Sequence, residues 1–139
     1  MSRAPLRLSL VNRLDALEPA RLALQAYLAP AGLSPQVVFK LELVLEETFM
    51  NLLWHAFKDG AEHVIELTVQ CGADEVVLGF VDDGVPFDPK GATEPARPAC
   101  MAEATVGGRG LALVRRAARR IEYRRSGAHN HLGIAVATA

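Results

Sequence analysis

Cysteine is scarce in this chain. There are two in 139 residues, Cys71 and Cys100, and they form neither a CxxC pair nor a metal-ligand spacing. A disulfide framework and a zinc ribbon are excluded, and a reducing cytoplasm is the plain expectation. Charge of one sign is not in excess either. Fifteen Lys+Arg against sixteen Asp+Glu leave a formal net charge of −1, which speaks against a general nucleic-acid binder held by phosphate contacts. No apolar stretch of membrane-spanning length escapes a charge, so no membrane span is expected. The opening Met1-Ser2-Arg3-Ala4-Pro5 runs straight into alternating residues, without the apolar centre of a signal peptide. Internal repeats, linkers and low-complexity tails are also missing. What remains is half hydrophobic and 22% charged. That is the composition of one globular domain, 1–139, large enough for a real core and too short for two.

Periodicity divides the chain. Leu6, Leu8 and Leu10 alternate with Arg7 and Ser9, the pattern of a half-buried strand. Residues 18–29 place Leu22, Ala26 and Ala29 at helical spacing and stop before Pro30 and Gly32. Ser34-Pro35 offers a capping hydroxyl followed by proline at the first helical position. A helix should run from there to about Phe57, ended by Lys58-Asp59-Gly60. The period then becomes two over 64–71. After the turn Gly72-Ala73-Asp74, residues 76–81 form a strand apolar on both faces, hence central. The stretch 84–106 has four prolines, two glycines and no period, the character of a functional loop or lid. A helix over 110–120 follows, with Leu113, Ala117 and Ile121 on its inner side. Residues 122–125 and 132–137 close the chain as a hairpin around Ser126-Gly127. The order βααββαββ predicts helices packed on one face of a mostly antiparallel, mixed sheet.

Three segments carry chemistry. In Leu45-Glu46-Glu47-Thr48-Phe49-Met50-Asn51-Leu52-Leu53-Trp54-His55, spacing by four stacks Glu47, Asn51 and His55 on one side of an apolar helix. Half-buried polar groups cost stability unless something uses them. Asn51 can offer an oxygen to Mg²⁺, and Glu47 can orient or deprotonate a hydroxyl or water attacking a phosphate. The same pair equally suits capping or bonding a neighbouring loop, and His55 suits holding the chain that follows the helix. In Asp82-Asp83-Gly84-Val85-Pro86-Phe87-Asp88-Pro89, a strand-end carboxylate can accept from the exocyclic amine of adenine while glycine lets the backbone come close. An Asp-Gly hairpin turn is the alternative, but no strand follows within hairpin distance. Gly107-Gly108-Arg109-Gly110-Leu111 precedes a helix, where free amides favour phosphate oxygens. It is neither a Walker A loop nor a dinucleotide fingerprint. The arginines at 115, 116, 119, 120, 124 and 125 suit a solvated face or an acidic protein partner. His129 and His131, two apart, lack an evident third metal ligand.

In this order the three segments resemble the GHKL ATPase superfamily, which includes histidine-kinase catalytic domains, gyrase and MutL. The chain looks most like its small RsbW-like and SpoIIAB-like anti-sigma-factor serine kinases. The helix is similar to that group's N box with its His-Ala-aromatic end, the Asp82 segment to its G1 box, the glycine run to its G2 box, and Tyr123-Arg124-Arg125 with Asn130 to its closing hairpin. The resemblance covers nearly the whole chain. It implies a Bergerat-type two-layer α/β sandwich that binds ATP and Mg²⁺. By position Glu47 would be the catalytic base, Asn51 the Mg²⁺ ligand, and Asp82 the adenine acceptor beside Gly84. Gly108, Gly110 and Leu111 would line the phosphates under a lid spanning 90–106. Arg109 departs from the apolar residue common between the glycines. No phosphoacceptor-histidine hairpin precedes the boxes, which disfavours a complete sensor histidine kinase. The implied activity is ATP-dependent serine/threonine kinase action on an anti-anti-sigma (STAS) protein in the cytoplasm. A sigma factor is a further candidate partner and a homodimer the candidate assembly. The rival reading is a non-catalytic, ATP-dependent binding switch.

Overall fold

The computed structural model describes residues 3–88 and 110–139. Its strands are β1 (Leu6–Val11), β2 (Val64–Cys71), β3 (Glu75–Asp82), β4 (Arg120–Ser126) and β5 (His129–Ala137). Its helices are α1 (Leu17–Leu28), α2 (Pro35–His55) and α3 (Gly110–Ala117), with single 3₁₀ turns at Leu14–Ala16 and Ala29–Ala31. The five strands form one sheet in the order β1-β2-β3-β5-β4, which puts β3 at its centre as its doubly apolar pattern predicts. Every neighbouring pair is antiparallel, so the sheet is not mixed. The reason is topological. α3 returns the chain so that β4 runs parallel to β3, and β5 then inserts between the two.

One face of the sheet is apolar because side chains alternate along each strand. Leu6, Leu8 and Leu10 oppose Val69, Leu67 and Ile65, and Val76, Leu78 and Phe80 oppose Val136, Ile134 and Leu132. Against this face α2 lays Leu41, Val44, Leu45, Phe49 and Leu52, the i, i+3, i+4 stripe of a core helix, all under 9% exposed. Each such side chain contributes on the order of 1.5–3 kcal/mol by leaving water. α2 begins as predicted: Pro35 occupies the first turn, and Ser34 Oγ accepts the Val37 N–H at 3.3 Å.

Packing decides the inner face of α1 and corrects that expected for α3. In α1 the buried residues are Ala20, Leu24 and Leu28, whereas Leu22, Ala26 and Ala29 face solvent. Both sets have helical spacing, and only contact with α2 and β1 chooses between them. α3 ends at Ala117 rather than Arg120 and buries Leu111 and Val114. Leu113 is only half-buried, and Ile121 belongs to β4, whose pairing with β5 begins at Arg120. Tertiary pairing thus claims residues that local propensity would have left in the helix. The basic run is dispersed by the same turn into β4. Arg120 pairs bidentately with Glu75 at 2.9 and 2.8 Å, Arg119 reaches the same carboxylate at 3.6 Å, and Arg125 turns toward Gly84.

Candidate functional site

The inner rows of β3 and β5 are apolar until their last pair, where Asp82 stands opposite Asn130. There the sheet meets the C-terminal half of α2 and the first turn of α3. Glu47, Thr48 and Asn51 are buried on α2 at 8%, 5% and 4% exposure, and Asp82 and Asn130 on the sheet at 2% and 4%. All the buried polar and charged side chains of the described residues therefore gather at this end. A sheet and helix packed for stability alone would place apolar groups here.

The Asp82 loop is closed by its own side chain. Asp82 Oδ1 accepts the Gly84 N–H at 2.8 Å and the Asn130 amide at 3.0 Å. Its Oδ2 makes no hydrogen bond among the described residues. The Asn130 amide also donates to the carbonyls of Gly84 (3.3 Å) and Val85 (3.0 Å). Its oxygen accepts from the Tyr123 hydroxyl at 2.5 Å and from Arg125 at 3.2 Å, and Arg125 donates to Gly84 O at 2.6 Å. The loop then docks on the end of α2, where the Val85 N–H donates to Ala56 O at 2.8 Å. Gly84 is required by this approach. A Cβ there would lie 2.4 Å from Ala56 O and 2.6 Å from Ala56 Cβ. His55 stacks on Phe87 of the loop, ring centroids 6.0 Å apart at 28°.

These elements line a tight cavity of about 30 Å³ between Thr48, Asn51, Asp82, Leu111, Tyr123 and Asn130 among others. Mostly apolar walls with one converging set of polar groups suit a flat heterocycle whose edge hydrogen-bonds. The carboxylate offers an acceptor to an exocyclic amine, and the walls offer apolar contact to the ring faces. Gly110, buried, opens α3 at the same end. Its position leaves the first-turn amides of an eight-residue helix next to Leu111 of the cavity wall.

Of the residues singled out in the sequence, Asn51, Asp82 and Leu111 line the cavity, and Gly84 and Gly110 border it. Glu47 lies one turn before Asn51 on α2. Gly108, Arg109 and the segment 90–106 lie outside the described residues. Tyr123, Arg125 and Asn130, noted in the sequence only as a closing hairpin, prove to be the partners of the Asp82 loop. One signal pointed to this role: an asparagine entering a strand whose inner positions are otherwise apolar. Its register opposite Asp82 was not legible. Around His129 and His131, no group of three His, Cys, Asp or Glu gathers among the described residues.

Comparisons with known proteins bear on the family and the fold. The family described as a histidine kinase-like ATPase domain matches residues 10–136. The serine/threonine-protein kinase BtrW of Bordetella bronchiseptica is 34% identical over 99 residues, covering 71% of this chain and 70% of BtrW. The crystal structure of the RsbU and RsbW domains of a Mycobacterium tuberculosis protein superposes with a TM-score of 0.65 at 14% identity over 96% of this chain. The histidine kinase domain of a blue-light activated histidine kinase from Erythrobacter litoralis gives 0.54 at 19% identity over 89%. This chain spans 32% and 60% of those two chains. At such identities they share its fold.

Proposed function

Because the chain belongs to the histidine kinase-like ATPase domain family, we propose that it is an ATP-dependent protein serine/threonine kinase acting on an anti-anti-sigma (STAS-type) partner in the cytoplasm. A sigma factor would be its second partner. The observation that carries the proposal is the lining of one cavity by the buried polar side chains Asn51 and Asp82, with Glu47, also buried, one turn before Asn51 on α2. BtrW's description as a serine/threonine-protein kinase supports the activity. The RsbW domain in the structural neighbour supports the fold in which it would run.

In this reading Asp82 Oδ2 accepts the adenine amine, and the Asn130 and Gly84 donors to Oδ1 hold the carboxylate in plane for it. The amides at the start of α3 would hold the phosphates, and Gly108 is the further phosphate-site residue that the family resemblance implies. The Asn51 carboxamide oxygen is the hard donor that would hold Mg²⁺, consistent with an oxygen-only cation site that retains waters. When bound, the cation offsets charge on the β- and γ-phosphates. Glu47 takes the proton from the partner's serine or threonine hydroxyl. That oxygen bonds to the γ-phosphorus as the β–γ bridging bond breaks, and ADP leaves. The two helix residues therefore separate in their effects. Asn51→Ala should weaken Mg-ATP binding. Glu47→Ala should leave binding nearly intact and slow phosphotransfer by about 10²-fold or more, the scale for a positioned base. Calorimetry with Mg-ATP and labelled-phosphate transfer to STAS proteins encoded nearby measure both. Undiminished transfer by Glu47→Ala removes Glu47 as the base. A parent that transfers to no partner leaves an ATP-dependent binding switch.

A further inference from the structure

A second set of contacts ties the cavity's loops from outside. His63, between α2 and β2, sets both ring nitrogens against carboxylates. Nδ1 lies 2.8 Å from Asp83 Oδ1, and Nε2 lies 2.9 and 3.0 Å from the two oxygens of Asp59. A neutral imidazole has one N–H and can donate to only one of these partners. Both contacts become hydrogen bonds only in the imidazolium form. The ring lies on Phe57, centroids 4.8 Å apart at 24°, an arrangement that suits a cation. The side chain is only 17% exposed. Its backbone is fixed as well: the His63 N–H donates to Asn12 Oδ1 at 2.8 Å, and the Asn12 N–H donates to His63 O at 3.0 Å.

Three segments thus converge on one residue: the end of β1 on its backbone, and the turn after α2 and the exit from β3 on its ring. The last of these matters for the cavity. Asp83 sits between Asp82, whose carboxylate faces the cavity, and Gly84, which packs on Ala56. The Asp82 loop is therefore held to the end of α2 twice, inside by Val85 N–H to Ala56 O and outside through Asp83, His63 and Asp59.

We propose that His63 is a positioning residue for the nucleotide cavity: an imidazolium clasp that joins the turn after α2 to the Asp82 loop and by its protonation sets how tightly that cavity closes on adenine. The proposal rests on the nucleotide reading of the cavity. The ionisable groups around the clasp are Asp59, with Lys58 and Glu62 in the same turn, Asp83 from β3, and Arg13 after β1, which pairs with Glu62 at 3.5 Å. His55 ends α2 and stacks on Phe87. The hydrogen bonds to Asp59 and then to Asp83 raise the His63 pKa above the ordinary histidine value. A raised folded-state value means that the clasp is complete below the ordinary histidine pKa and is lost as pH rises through the raised one.

The test is calorimetric titration of the full chain with Mg-ATP and Mg-ADP over about pH 6 to 9, bracketing a raised histidine value. The parent is compared with His63→Gln, Asp59→Asn and Asp82→Asn, and the His63 ring is followed by NMR. The parent's affinity should fall by about fivefold across the His63 titration, the lower end of ordinary coupling between sites. His63→Gln should lose this fall and keep only the pH dependence that the nucleotide's own ionisation imposes. Asp59→Asn, altered at an exposed carboxylate, should move the midpoint down toward the ordinary histidine value, and it serves if His63→Gln fails to fold. Superimposable pH profiles for parent and His63→Gln, with Asp82→Asn impaired, overturn the clasp and leave the nucleotide site standing. Full ATP binding by Asp82→Asn overturns both.

Discussion

Asn130→Ala tests whether the Asp82 loop depends on its cross-strand partner. The substitution deletes one donor serving Asp82 Oδ1, Gly84 O and Val85 O, and one acceptor serving Tyr123 and Arg125. The losses are unequal. Gly84 O keeps Arg125 at 2.6 Å, and Val85 is 39% exposed, so water can replace its bond. Asp82 keeps the Gly84 N–H at 2.8 Å but is 2% exposed and loses the one side chain among the described residues that pins it. One buried group left short of a partner costs about 1–3 kcal/mol. Urea unfolding should therefore show a loss of about 2 kcal/mol with an unchanged m value. The ligand effect is more diagnostic. A carboxylate free to turn holds its open oxygen in line with the base amine for less of the time. ATP affinity should fall by about tenfold, equivalent to about 1.4 kcal/mol, while the weaker GTP affinity stays put. A purely architectural Asn130 would lower both affinities together. Stability within about 0.5 kcal/mol of the parent, with unaltered ATP affinity, would refute the reasoning outright.

Gly84→Ala forces a Cβ to within 2.4 Å of Ala56 O. It should cost about 1–3 kcal/mol by overpacking and loosen the Val85–Ala56 bond; an unchanged melting curve would place the loop elsewhere. On α1, Leu24→Ala should destabilise by about 2–5 kcal/mol because Leu24 is fully buried, while Leu22→Ala, 52% exposed, stays within about 0.5 kcal/mol. Equal effects at the two positions, measured by chemical denaturation, would mean that the helix face is wrongly assigned.

The sequence carries most of this fold through period and punctuation. The two-residue alternation of β2, the apolar run of β3 and the Ser34-Pro35 start of α2 each have a local cause and appear where that cause puts them. The inner faces of α1 and α3 do not, because alanine and leucine occur all round both helices. Which side is buried then depends on the partner, not on the spacing. The site divides in the same way. Glu47, Asn51 and Asp82 stand out as polar groups breaking apolar patterns. His63 does not: a histidine in a turn among Asp59, Glu62 and Lys58 looks like ordinary surface until folding brings Asp83, 20 residues away, to its other nitrogen. Asn130 is intermediate, anomalous in its strand but without a partner until the register of β3 and β5 is known.

That register also bears on why the polar end is retained. The inner rows of β3 and β5 could continue as Leu or Val, and replacing buried polar pairs with well-packed apolar ones is often neutral or stabilising. Here the asparagine amide and the carboxylate satisfy each other on one side only. Asn130 directs its donors and acceptor to Asp82, the Gly84 and Val85 carbonyls, Tyr123 and Arg125, whereas Asp82 commits Oδ1 and leaves Oδ2 unbonded among the described residues. A network built only to stabilise the sheet would close on itself. One that fixes a carboxylate's plane while keeping an oxygen open beside a cavity leaves an oriented acceptor there for a further donor. Together with buried Glu47 and Asn51 on the facing helix, this unfinished edge is the physical basis for reading the cavity as a nucleotide site.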